Sequence, residues 1–156
     1  MHISDCMKRN IFSIQKSNTL GEAVRIFAER HIGTLPVVDE QGALVGLLQL
    51  RDLLTLVMPD FVKFIEDFDF VMDFGAAENR QPSPELLAKK VGEFMRPPEA
   101  VEATSGLLRA SALLHKHDLH DLPVVDANGK LVGIASRVDV GTAFLKGWNI
   151  SQGGGA

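Results

Sequence analysis

The pattern of apolar and polar positions along the chain occurs twice. Leu35-Pro36-Val37-Val38-Asp39 returns unchanged as Leu122-Pro123-Val124-Val125-Asp126, an offset of 87 residues from Pro36 to Pro123. A fixed offset of this kind marks an internal duplication. At the same offset Leu44-Val45-Gly46 falls on Leu131-Val132-Gly133, Gly42 on Gly129, Asp52 on Asp139 and Ala23 on Ala110. Met7 and Met95 differ by 88 instead, which places one inserted residue near Pro97-Pro98.

Each copy reads as strand, helix, strand, strand, helix. In the first, Thr19 and Glu22 have capping-box spacing, and Leu20, Ala23, Val24, Phe27 and Ala28 share one helical face, so this helix is amphipathic and faces a core. Val37-Val38-Asp39 and Leu44-Val45-Gly46-Leu47-Leu48 are β-rich runs joined through Glu40-Gln41-Gly42, and the second copy uses Asn128-Gly129, a hairpin turn signal. Closing helices are expected over Arg51 to Val57 and Val138 to Lys146. Between the copies Phe61, Phe64, Ile65, Phe68, Val71 and Met72 recur at helical spacing, which predicts an inserted helix over residues 59–74 begun by Pro59. Its Phe-rich face either covers the repeats or contacts a partner. Ser83-Pro84-Glu85 reads as the cap and first turn of another helix running to about Met95. The divisions are therefore residues 1–57, 58–85, 86–147 and a Gly-rich tail, 148–156, expected to be disordered.

Composition narrows the classes. With 156 residues, 46% hydrophobic and 23% charged, the chain can bury a core without staples. Cys6 is the single cysteine, so no intramolecular disulfide forms, and a reducing compartment fits. Met1 to Asn10 has no apolar signal core, and no stretch is long enough to span a bilayer, which points to the cytoplasm. A net charge of −4 without a basic stripe argues against nucleic acid.

A duplicated βαββα unit with P-V-V-D, a hairpin, L-V-G and a strand-to-helix turn ending in Asp resembles the CBS domain family. The resemblance implies an α+β fold in which the two βαββα repeats pack sheet against sheet with pseudo-twofold symmetry, leaving two clefts between them. Such clefts hold AMP, ADP, ATP or another adenosyl compound as a regulatory ligand. The family's nucleotide motif is Gly, apolar, any, Ser or Thr, two of any kind, then Asp, and Gly133-Ile134-Ala135-Ser136-Arg137-Val138-Asp139 matches it throughout. An ionised Asp139 offers two acceptor oxygens to the paired hydroxyls of a ribose. The helix starting near Ser136 turns free N–H groups toward an anion, Arg137 adds a cation for phosphate, and Gly133 lets the chain approach the ligand. Ser136 three residues before Asp139 also has the spacing of a helix-capping pair, so capping and ligand contact both remain open. Ala100, Val101, Asp121, Leu122 and Pro123 occupy positions that line the adenine pocket in this family, and His120 adjoins them.

The first copy departs from the motif: Gly46-Leu47-Leu48-Gln49-Leu50-Arg51-Asp52 has Gln49 where Ser or Thr is expected. Asp52 is present for ribose, with Ser13, Ile14, Thr34, Leu35 and Pro36 as walls, and the second cleft is preferred. Lys8 and Arg96 each follow the Met that opens a repeat and are candidates for phosphate contact. His115, His117, Asp118, His120 and Asp121 cluster without the i, i+4 pairing of helical zinc sites, so no metal is expected. No G-x-S-x-G elbow or phosphate-binding Gly loop occurs, so no catalytic residue is assigned. The expected protein is a regulatory homodimer, with an effector protein meeting the Phe-rich insertion. The alternative is a ligand-free scaffold whose clefts are filled by side chains such as Gln49.

Overall fold

The structure is a computed structural model and describes residues 1–57 and 81–150. The Phe-rich stretch of the insertion and the Gly-rich end of the tail lie outside the described residues. The first repeat comprises β1 (Ile14–Gln15), α1 (Leu20–Arg30), β2 (Thr34–Val38), β3 (Leu44–Gln49) and α2 (Leu50–Val57). After α3 (Pro84–Ala88), the second repeat runs through β4 (Val101–Glu102), α4 (Leu107–Lys116), β5 (Asp121–Val125), β6 (Leu131–Ser136) and α5 (Arg137–Lys146). Each repeat builds a three-stranded sheet, ordered β1-β2-β3 or β4-β5-β6, whose first pair is parallel and whose second is antiparallel.

Local chemistry explains the elements. Thr19 Oγ1 accepts from Glu22 N while the Glu22 carboxylate accepts from Thr19 N, closing the predicted capping box of α1. Both hairpins turn on a glycine in the left-handed region, Gly42 at φ +82° and Gly129 at φ +78°. In each turn the preceding aspartate braces the loop: Asp39 Oδ1 accepts from Gln41 N and Ala43 N, and Asp126 Oδ1 from Asn128 N and Lys130 N. The hairpins also pair with one another, Leu44 N donating to Gly129 O and Leu131 N to Gly42 O.

Pro36 and Pro123 sit in the middle strand of their sheets, where a proline ordinarily breaks the ladder. The register shows why they are tolerated. Pro36 lies opposite Leu47, whose N–H and C=O turn away to pair with Arg96, so Pro36 faces away from β3 as well. On its other side β1 begins only opposite Val37, and no N–H is required. Pro123, opposite Ile134 and beside β4, repeats the arrangement.

The opening segment of each repeat is exchanged onto the other. Ile3 N donates to Ser105 O, Lys8 and Ile134 exchange two backbone hydrogen bonds, and Ile3 is fully buried among Val101, Leu107, Leu122 and Val124 of the second repeat. Reciprocally, Val91 N donates to Asn18 O, Arg96 and Leu47 exchange two bonds, and Val91 is buried among Ile14, Leu20, Leu35 and Val37 of the first. This exchange corrects the helix expected to run from Ser83 to about Met95. α3 ends at Ala88, because Lys89 turns extended at ψ 155° and gives its carbonyl to Leu20 N. Val91–Glu93 then forms one 3-10 turn matching that of Ile3–Asp5.

Candidate functional site

The two motif aspartates open α2 and α5, the helices that leave the last strand of each sheet. Ser136 Oγ accepts from Asp139 N at 3.0 Å, and Asp139 Oδ2 accepts from Ser136 N at 2.8 Å, so the Ser–Asp pair does cap α5. Capping engages only Oδ2, which leaves Oδ1 for a second donor. In the first repeat Gln49 is buried and its Oε1 accepts from Arg51 Nε at 2.9 Å, so it serves the following arginine and fills space where a Ser would cap.

Exchange of the opening segments gives each aspartate a cation from the opposite repeat. Arg96 donates from Nε to Asp52 Oδ2 and from Nη2 to Asp52 Oδ1, both at 2.6 Å. These bonds push the Arg96 guanidinium further above its already high ordinary pKa. At the corresponding place Lys8 Nζ stands 3.5 Å from Asp139 Oδ2. Both cations, expected to await phosphate, therefore rest on the carboxylates expected to read ribose.

The residues assigned to two separate clefts are distributed differently. One cavity of about 250 Å³ lies between the repeats, walled by Ile32, Gly33 and Thr34 of the first, Asp121 and Ile134 of the second, and Lys8 and Phe12 of the exchanged segment. Thr34, expected in the first cleft, thus shares a wall with Asp121 and Ile134, expected in the second. Asp139 lines a neighbouring cavity of about 370 Å³ with Asp5, Cys6, Thr142 and Lys146. Lys8 links the two, lining the one and pairing with the carboxylate of the other. Ser13 and Ile14 border a third concavity with Asn18, Glu22 and Arg25. Ile14, Leu35, Pro36, Val101, Leu122 and Pro123 are buried, so their side chains serve the cores. Ala100 is half-buried and His120 exposed.

Two of the residues expected at the ligand have close partners within the protein. Gly133 was expected to bring the chain close to a ligand. A Cβ there would instead overlap Met7 Sδ and lie 3.1 Å from Lys8 O, and one at Gly46 would lie 2.6 Å from Met95 Sδ and 2.9 Å from Arg96 O. Both glycines make room for the exchanged segment. Arg137, expected on phosphate, is turned the other way: Nε donates to Leu119 O at 2.6 Å, and Nη2 reaches Leu114 O and Asp118 Oδ1 at 3.3 Å. It closes the C-terminal end of α4.

The sequence reading missed Asp118 as a junction between the repeats. Arg51 of the first repeat reaches Asp118 Oδ2 at 2.8 Å and its carbonyl at 3.0 Å, while Arg137 approaches from the second. The Arg51 hydrogen bond and charge, with a smaller contribution from Arg137, hold the Asp118 carboxyl below the ordinary carboxylate range. Asp118 has φ +49° and His31, at the equivalent place after α1, φ +53°. Neither position is glycine, which hid the shared left-handed turn. Asp5 and Cys6 were missed as neighbours of Asp139; burial first, then the charges of Asp139 and Asp5, pushes the Cys6 thiol up and keeps it protonated. The recurrence of acid-x-Met-base at an offset of 88, Asp5 to Lys8 and Glu93 to Arg96, was the available signal.

The remaining candidates among the described residues stand apart from one another. His117 Nε2 lies 3.2 Å from Glu99 Oε2, His115 borders α5 and His120 faces solvent, and among the described residues no three His, Cys, Asp or Glu side chains are placed to hold a metal ion. A concavity of about 640 Å³ is an apolar groove between α1, α2 and α3, and its walls of Val24, Phe27, Leu53, Leu54 and Leu86 offer little to a ribose or phosphate. No helix among the described residues is long and apolar enough to cross a membrane.

This architecture, two exchanged βαββα repeats with an aspartate opening each closing helix, defines a tandem CBS pair. A family-wide sequence profile for the CBS domain matches residues 3–59 and 91–146, and the chain belongs to that family. It is 32% identical over 152 residues to the chloroplastic CBS domain-containing protein CBSX1 of Arabidopsis thaliana, covering 89% of this chain and 61% of CBSX1. The chain thus spans about three-fifths of that relative. A CBS domain-containing protein of Dictyostelium discoideum is 28% identical over 145 residues, covering 92% of this chain and 91% of its own. Among solved structures, the crystal structure of CBSX2 in complex with AMP superposes with a TM-score of 0.68 at 28% identity, covering 93% of this chain and 96% of that one.

Proposed function

We propose that this chain is a regulatory module that binds an adenosine nucleotide between its two repeats and signals through a change in conformation or assembly. The observation that carries the reading is the second motif in place: Asp139 at the mouth of α5, capped through one carboxylate oxygen only, beside a cavity and within reach of the mobile-stemmed Lys8. A ribose takes the carboxylate, and Lys8, released, follows the charge to the phosphate. CBSX2, similar to this chain and crystallised with AMP, supports adenosine as the ligand class. AMP, ADP and ATP share the ribose contact, and the phosphate chain decides among them. The module carries no catalytic residue of its own in this reading, works in the cytoplasm, and acts as a homodimer or on an effector protein.

Thermal unfolding with AMP, ADP and ATP tests this. Ligand at about a hundred times its dissociation constant stabilises by roughly 2.7 kcal/mol, a shift of several degrees for a chain of this size. The expected result is a shift with at least one nucleotide in wild type that disappears in Asp139→Ala. No shift with any nucleotide sinks the proposal and favours a scaffold with closed clefts, for which the buried Gln49 and the paired Arg96 and Asp52 speak.

A further inference from the structure

The two candidate ribose carboxylates are held in different ways. Arg96 fills both oxygens of Asp52 with two hydrogen bonds of 2.6 Å. Lys8 makes a single contact of 3.5 Å with Asp139 Oδ2, an oxygen already bonded to Ser136 N, and its side chain is 62% exposed. A guanidinium is a rigid fork matched to a carboxylate, whereas an ammonium is a point charge on a flexible stem. A ribose that bonds through two adjacent hydroxyls needs both carboxylate oxygens. It therefore has to evict Arg96 from Asp52, whereas at Asp139 it meets Oδ1 outside the cap and shares Oδ2 with Ser136 N once Lys8 moves aside.

We propose that Arg96 makes the first cleft selective for phosphorylated adenosine compounds, while Lys8 leaves the second open to neutral nucleosides as well. This inference rests on the reading of both clefts as adenosyl sites. An evicted guanidinium has lost its anion, and a phosphate on the incoming ligand replaces it with the same forked geometry. A neutral nucleoside offers no replacement. Losing an uncompensated, partly exposed bidentate pair weakens binding on the order of tenfold or more. The cation facing each aspartate is thus supplied by the opposite repeat.

Calorimetric titration with adenosine and with AMP tests the assignment. In wild type, adenosine is expected to fill one site, lost in Asp139→Ala, and AMP to fill two. Arg96→Gln is expected to give adenosine a second site that disappears when Asp52→Ala is added. Lys8→Arg is expected to weaken adenosine at the remaining site roughly tenfold while AMP is largely retained. Lys8 and Arg96 hold Ile134 and Leu47 through backbone atoms, which substitutions of the two cation side chains leave in place. Arg96→Lys, which keeps the charge, gives an independent variant and is expected to behave like Arg96→Gln. Adenosine filling both sites in wild type, AMP filling only one, or a single adenosine site persisting in both Arg96 variants overturns the inference. Absence of any heat with either ligand in wild type overturns the underlying cleft reading as well, and so is a distinguishable failure.

Discussion

Replacing Gly46 by alanine probes the exchange of opening segments, on which the whole site depends. The added methyl would lie 2.6 Å from Met95 Sδ and 2.9 Å from Arg96 O. A methionine side chain can swing away, but the carbonyl accepts from Leu47 N at 3.0 Å while Arg96 N donates to Leu47 O at 2.7 Å. Relief of the overlap must stretch this pair. Overpacking of a tight core costs about 1–3 kcal/mol, and each weakened backbone hydrogen bond about 1 kcal/mol. Against this stands about 0.4–1 kcal/mol from reduced freedom of the unfolded chain, for a net loss of about 2–3 kcal/mol. At Gly133 the carbonyl of Lys8 is further off, at 3.1 Å, and the overlapping atoms belong to the Met7 side chain, so Gly133→Ala should cost less, about 1–2 kcal/mol. Urea unfolding at constant slope measures both. A double-mutant cycle should show strong coupling between Gly133→Ala and Met7→Ala and weaker coupling between Gly46→Ala and Met95→Ala. The reasoning fails if Gly133→Ala is the more damaging, or if both substitutions fall within about 0.5 kcal/mol of wild type.

Other consequences follow from single contacts. Ser136→Ala removes the N-cap of α5 and should cost about 1 kcal/mol in urea unfolding, with Ser136→Thr near wild type; an unchanged midpoint in the alanine variant would deny the cap a role. The Asp118 carboxyl is held below its ordinary value, so its contribution to stability is complete above the unfolded value of about 3.9 and is lost as the pH falls through the lowered folded value. The unfolding midpoints of wild type and Asp118→Asn should therefore differ by a constant amount between about pH 5 and 7 and converge below about pH 4. Asparagine suits the left-handed backbone at this position, and a difference that persists in acid would point to a cause other than charge. Adding about 0.5 M salt should shrink the neutral-pH difference, because the Arg51–Asp118 pair is exposed.

Much of this architecture was readable because duplication writes it twice. The repeated Leu-Pro-Val-Val-Asp strand, the Gly42 and Gly129 turns and the Thr19 capping box depend on neighbours a few residues away, and each formed as its pattern required. The exchange of Ile3 and Val91 was not readable, since burial of a lone apolar residue in one repeat or the other leaves the same local pattern. Its trace was the change of offset from 87 to 88 at Met7 and Met95, which separates the opening segments from the units they precede. At the site, the motif located Asp139 and Ser136 but not the cations on the carboxylates. The directions of Arg51, Arg96 and Arg137 are set by which carbonyls and carboxylates lie within reach after the repeats have packed. Gly133 shows a related ambiguity: a glycine records that something comes close, and in the structure a close neighbour is Met7.

A crystal structure of the chain grown with AMP tests the central claim most directly. The account predicts the ribose hydroxyls on the Asp139 carboxylate, with Lys8 withdrawn from its 3.5 Å contact and turned toward the phosphate. AMP bound away from Asp139, or an unliganded Asp139 with Lys8 still in place at saturating nucleotide, would contradict it.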